Sequence, residues 1–179
     1  MKTLGPKGIK YLKILHLLLA IMWIGGALAM SVLALTGKPE TGDELYMFSR
    51  MLQIIDDYLI IPGAMGNILI GIVYGIWTKW GFFKYRWLTV KWILTIVQVL
   101  FGTFVLGPWI NGNVELAQTL GRDVLSSGSD YFHNLEMTRI WGMVQTTILL
   151  SFIVISVLKP WKRKQIGQIG NRIDNLNGL

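Results

Sequence analysis

Residues 14–35 read ILHLLLAIMWIGGALAMSVLAL, 22 positions without a charged side chain. A helix rises ~1.5 Å per residue and a bilayer core is ~30 Å thick, so about 20 such residues cross it. Three more charge-free runs follow, at residues 58–78, 92–110 and 140–158, and every segment between them carries charge. In lipid the backbone must satisfy its own hydrogen bonds, so four such runs mean four helices. The expected fold is all-α: an antiparallel transmembrane four-helix bundle with both termini cytoplasmic. Its spans are expected at about 10–35, 56–78, 87–110 and 137–158, in a single domain over residues 1–164, with a polar tail at 165–179.

The composition agrees. Of 179 residues, 53% are hydrophobic and 15% charged, with a mean hydropathy of +0.49. An average soluble domain is ~25% charged. The net charge of +7 is distributed by crossing. The N-terminal tail carries +4 through Lys2, Lys7, Lys10 and Lys13. The connection at residues 36–57 carries −3, that at 79–91 carries +4, that at 111–139 carries −2, and the C-terminal tail carries +4. The sign alternates at every crossing, as the positive-inside rule requires with both termini in the cytoplasm. The charge is thereby accounted for without nucleic acid, and the lipid bilayer is the expected partner. The chain contains no cysteine, which excludes disulfides, thiolate chemistry and cysteine-bound metal. The first run follows a basic tail, as in a signal peptide, but it is long and lacks a clear small-residue cleavage site. It reads as a retained span.

Local signals divide the chain further. Gly37-Lys38-Pro39 ends the first helix. Thr41-Gly42-Asp43-Glu44 has capping-box spacing and opens a short amphipathic helix that can run through Asp56 and Asp57 into the second span. Pro62-Gly63 marks a kink or the start of that span. The short link around residues 80–87 implies that the second and third helices pack as antiparallel neighbours. Residues 114–125 suit a surface helix, and Lys159-Pro160-Trp161 ends the fourth span.

The polar residues inside the spans fall on faces that can converge. Helix two aligns Gly63, Asn67, Gly71 and Gly75; helix three, Lys91, Thr95, Gln98 and Gly102; helix four, Gly142, Gln145, Leu149 and Ser156; helix one, His16, Ala20, Trp23, Ala27 and Met30. Polar groups within a bilayer are costly and seldom face lipid. A shared interior seam follows, either a dry hydrogen-bonded core, a water-lined cleft or a cofactor site. The glycine stripe reads structurally as a close helix crossing, with Asn67 bonding a neighbour or facing a ligand.

His16 is the only histidine within a span, on the Lys13 side. A neutral imidazole can ligate haem iron or relay protons. The alternative is an interfacial imidazole bonding a carbonyl or a headgroup. Lys91 should match its depth, either as a snorkelling lysine or as the cation for a carboxylate. His133 belongs to the far end, so His16 and His133 of one chain cannot share one haem, which leaves His16 alone, His16 with a non-histidine ligand, or a pair between two chains. At that end an Arg139 pair with Asp56 or Asp57 is plausible, beside Glu136. No hydrolase, phosphate-loop or dinucleotide motif is present. The dispersed methionines argue against a copper(I) cluster.

Tyr11-Leu12-Lys13-Ile14-Leu15-His16 followed by Trp23-Ile24-Gly25-Gly26, with Trp87-Leu88-Thr89-Val90-Lys91-Trp92 and Ile61-Pro62-Gly63, resembles an uncharacterised four-span bacterial membrane family. That family is related to the superfamily of HemJ-type protoporphyrinogen oxidases and CopD-type copper-resistance proteins. The resemblance covers most of the chain. In HemJ-type proteins the first-span histidine and third-span lysine are associated with haem binding and activity, which by position implies His16 and Lys91. The arginine that follows the first-span tryptophan in those proteins is absent from Gly25-Gly26-Ala27-Leu28-Ala29-Met30-Ser31.

The resulting expectation is a redox-linked protein of the bacterial plasma membrane, binding haem b, a porphyrin or a quinone near the cytoplasmic leaflet. His16 would serve as metal ligand or proton relay and Lys91 as counter-ion, with Trp23, Asn67, Gln98 and Gln145 lining the pocket and a membrane redox partner implied. The alternative is a small homo-oligomeric transporter, channel-like or accessory protein without a cofactor.

Overall fold

The computed structural model describes residues 4–78, 81–127 and 129–158. These residues are almost entirely helical, and there is no strand among them. Helix α1 spans Pro6–Thr36. Pro6 sits in its first turn, where a missing N–H costs nothing, and the Gly37 amide closes the last turn onto the Leu33 carbonyl at 2.8 Å.

The second long helix begins at the expected capping box. The Glu44 amide donates to Thr41 Oγ1 at 3.3 Å, and the Thr41 and Glu40 amides donate to Glu44 Oε2 at 3.4 and 2.7 Å. From there α2 (Gly42–Ile55) continues through a π-helical turn at Asp56–Ile60 into α3 (Ile61–Trp77). The wide turn has a cause in Pro62, which has no amide to donate and whose ring presses on the preceding turn.

The third helix repeats the device in the opposite order. Helix α4 (Arg86–Phe101) passes through a π-turn at Gly102–Leu106, just before Pro108, into α5 (Gly107–Leu120). The region expected as a separate surface helix is therefore the prolongation of the third span. Gly121, at φ +54°, stops α5 in a conformation that favours glycine. A 3-10 turn (Gly121–Asp123) and α6 (Val124–Ser127) lead to α7, Ser129–Leu158. The Lys159-Pro160-Trp161 stop and the 165–179 tail lie outside the described residues.

Among the described residues four helices are long and apolar enough to cross a membrane: Pro6–Thr36, Gly42–Trp77, Arg86–Leu120 and Asp130–Leu158. The chain forms a multi-pass membrane protein. The second helix has 36 residues, a length of ~54 Å, so it must project well beyond a ~30 Å hydrocarbon layer. The third, of 35 residues, does the same. The projecting segments, α2 and α5, pack on each other, and α5 packs on α7. They enclose a core of Leu45, Ala117, Val124 and Tyr131. We call this region the cap. A second core, Trp23, Ala27, Ala64, Leu149 and Phe152, holds the bundle together.

The closest crossing in the bundle is α1 on α3, where Gly63 lies against α1 backbone. A Cβ there would stand 2.6 Å from the Trp23 amide nitrogen and 2.9 Å from the Leu19 carbonyl oxygen. The expected close pairing of the second and third spans takes another form. Their backbones keep apart, and rings fill the space between: Trp92 covers Gly71, Phe82 covers Gly75, and the two rings touch at 5.4 Å between centroids.

Candidate functional site

One end of the bundle bears the start of α1, the α3–α4 link and the end of α7. There each helix contributes a polar group. On α1, the His16 ring meets Tyr74 of α3 edge-on, with centroids 6.0 Å apart. The His16 Nδ1 atom is buried and has no hydrogen-bond partner. On α4, Lys91 Nζ donates to Ser156 Oγ of α7 at 2.6 Å, and Ser156 Oγ in turn donates to the Phe152 carbonyl at 2.5 Å. His16 and Lys91 are both half-buried at this end of the bundle.

Deeper in the bundle, α4 and α7 exchange a pair of hydrogen bonds. Gln98 Nε2 donates to the Gln145 carbonyl at 3.0 Å, and Gln145 Nε2 donates to the Gln98 carbonyl at 2.8 Å. On α3, Asn67 Nδ2 donates to the Gly63 carbonyl one turn back, at 2.8 Å. The side-chain oxygens of Asn67 and Gln98 are buried without partners. Trp23 is packed among Ala27, Ala64, Leu149 and Phe152. Further along, Thr146 Oγ1 contacts Ser31 Oγ at 3.0 Å and the Ala27 carbonyl at 3.3 Å, which ties α7 to α1.

His16, Lys91, Asn67, Gln98, Gln145 and Trp23 thus all face the bundle interior, in two tiers. His16 and Lys91 form the outer tier. Gln98, Gln145 and Trp23 form the inner one, and Asn67 stands one turn from Gly63 towards the His16 end. Tyr74 and Ser156 join the outer tier without having been singled out for it. Ser156 does share the α7 face with Gln145, and that spacing was its signal. Tyr74 had none, because an aromatic residue in an apolar run looks like packing.

The cap holds a separate polar group. Tyr131 OH donates to the Leu45 carbonyl at 3.1 Å and so accepts from Ser49 Oγ at 2.8 Å. Beside it is a cavity of about 10 Å³ lined by Ser49, Leu52, Ile110, Asn113, Leu135 and Thr138. His133 is exposed near the start of α7, at the end of the molecule remote from His16. Among the described residues no ion pair joins Arg139 to Asp56 or Asp57. Arg50 instead bonds Gln53, whose Nε2 donates to Asn111 Oδ1 at 2.6 Å and so links α2 to α5. No group of three or more His, Asp or Glu able to hold a metal ion occurs among the described residues. No family model, curated protein or solved structure matches this chain, so the HemJ- and CopD-like resemblance stands on its motifs alone.

Proposed function

We propose that this membrane protein binds a lipid-soluble redox group, a quinone or haem b, in the polar interior built on His16 and Lys91, and serves an electron-transfer reaction. The observation that carries the reading is the unspent His16 Nδ1: a buried nitrogen without a hydrogen-bond partner, inside an apolar bundle. Burying a polar atom without a partner costs free energy, and such atoms concentrate where a ligand completes them. Apolar pockets with a few convergent polar groups are the usual form of small-molecule sites.

Each group would find polar partners among these side chains. For haem b, His16 would supply the nitrogen ligand and Lys91 would hold a propionate; the haem would supply one-electron chemistry. For a quinone, His16 would hold or pass on a proton at Nδ1, and Trp23 would limit entry of water. The alternation of charge along the chain supports placing both termini in the cytoplasm and this site in the inner leaflet of a bacterial plasma membrane.

The test is a visible spectrum of freshly purified protein, oxidised and then reduced with dithionite, together with extraction and chromatography of bound quinones. A Soret band lost in His16→Ala supports the haem form, and a stoichiometric quinone supports the other. A colourless, quinone-free protein that takes up neither haemin nor added quinone overturns the reading.

A further inference from the structure

We infer that the cap holds a binding site for a single water molecule between Ser49, Asn113 and Thr138, and that this water ties together the second, third and fourth long helices.

The site is the cavity of about 10 Å³ lined by Ser49 and Leu52 of α2, Ile110 and Asn113 of α5, and Leu135 and Thr138 of α7. Roughly 10–15 Å³ is what one water needs, so the space suits one small molecule and nothing larger. Its polar walls are cut off from bulk solvent: Ser49 is 2% exposed, Asn113 4% and Thr138 7%.

Thr138 departs from the habit of its own helix. Thr146, Thr147, Ser151 and Ser156 of α7 each donate to a carbonyl three or four residues back. Helical hydroxyls commonly satisfy themselves in this way. Thr138 Oγ1 does not, and it is buried without a partner. Asn113 Oδ1, on the same cavity, is also buried without a partner. Ser49 gives its one proton to Tyr131 OH, because Tyr131 spends its own on the Leu45 carbonyl. Ser49 Oγ can therefore only accept further. Leu52, Ile110 and Leu135 add no side-chain polar atom to the walls.

Water answers this set. It accepts from the Thr138 hydroxyl and donates to Asn113 Oδ1 and Ser49 Oγ, about three bonds being usual for a buried water. The match survives turning the Asn113 amide over, since water then accepts from Nδ2. A cation suits the site poorly: no carboxylate lines it, and charge is costly to bring into neutral surroundings. A dry cavity would leave two buried polar atoms unpaired, which is also costly. With the water in place, one chain of hydrogen bonds runs from the Leu45 carbonyl through Tyr131, Ser49 and the water to Asn113 and Thr138. It spans α2, α5 and α7.

The experiment is a crystal structure of the full chain grown in a lipid mesophase, at a resolution that shows other internal waters. A second data set comes from crystals soaked in thallium(I), a heavy monovalent cation. The expected result is one density peak about 2.8 Å from Ser49 Oγ, Thr138 Oγ1 and the Asn113 amide, with no thallium signal there. A map without that peak overturns the inference. Thallium at the position overturns it as well, because the site would then select charge. The paired substitution Asn113→Leu and Thr138→Val removes two of the three partners and should abolish the peak. A peak unchanged in that variant also overturns the inference, since these side chains would not be what holds the water. If the variant does not fold, the wild-type maps decide.

Discussion

The cap and the bundle are both helical, but different forces assemble them. The cap elements carry Asp43, Glu44, Arg50 and Glu115 on their outer faces, so the core of Leu45, Ala117, Val124 and Tyr131 is withdrawn from water. The hydrophobic effect acts there at full strength, at ~25 cal/mol per Å² of buried apolar area. The bundle core of Trp23, Ala27, Ala64, Leu149 and Phe152 is withdrawn from lipid tails, which are as apolar as the side chains themselves. What remains there is close packing and interhelical hydrogen bonding. The glycine at the α1–α3 crossing and the reciprocal Gln98–Gln145 bonds supply both. The contrast implies that truncating a side chain harms the cap more, whereas adding a single carbon harms the bundle more.

The largest expected effect tests the first half of that statement. Leu45 is 1% exposed and Leu149 2%, so their burial is equivalent. Leu45→Ala should cost about 3–4 kcal/mol, transfer and cavity terms together, and Leu149→Ala about half that, from lost packing alone. Denaturant unfolding in one detergent compares them directly; equal losses would erase the distinction between the regions.

The second half is tested by Gly63→Ala, which drives a carbon into the α1 backbone and should cost about 2–3 kcal/mol. Gly112→Ala, in the α5 part of the cap, sets its carbon 3.7 Å from Asn134 Nδ2, an ordinary contact, and should cost less than about 1 kcal/mol. Thermal melts of the two variants should separate clearly.

Smaller effects sharpen the contrast in polar terms. Tyr131→Phe removes the bonds to Ser49 and Leu45 in the cap and should cost about 1.5 kcal/mol. Ser31→Ala removes the contact to Thr146 in the bundle and should cost about 0.6 kcal/mol. Thr41→Ala removes half of the capping box at the start of α2 and should cost about 1 kcal/mol, with hydrogen exchange rising at the Glu44 amide.

The four crossings were legible because lipid permits only one way of satisfying a backbone, and residues 14–35 leave no other reading. The capping box at Thr41 and the break at Gly37 were legible because their signals are local. The cap as a unit was not. Tyr131, Val124, Ala117 and Leu45 come from distant stretches, and nothing local says that they meet. The π-turns escaped for a related reason: Pro62 and Pro108 announce a disturbance, but not whether the chain bends, breaks or widens.

The same split runs through the site. Asn67, Gln98, Gln145, Lys91 and His16 stood out as polar residues in apolar runs, and all of them face inward. Which atoms would be spent and which left over depended on carbonyls of other turns and other helices, at Gly63 and Gln145. Side-chain spacing carries no information about that.

The two wide turns share one arrangement. Each interrupts a long helix where the bundle gives way to the cap, entering on the second helix and leaving on the third, whereas α7 passes the same level without interruption. The upper storey stands on two legs with a widened turn and one unbroken post. That post carries Gln145 and Ser156 as well as Tyr131, so one continuous rod joins the core of the cap to the buried polar groups.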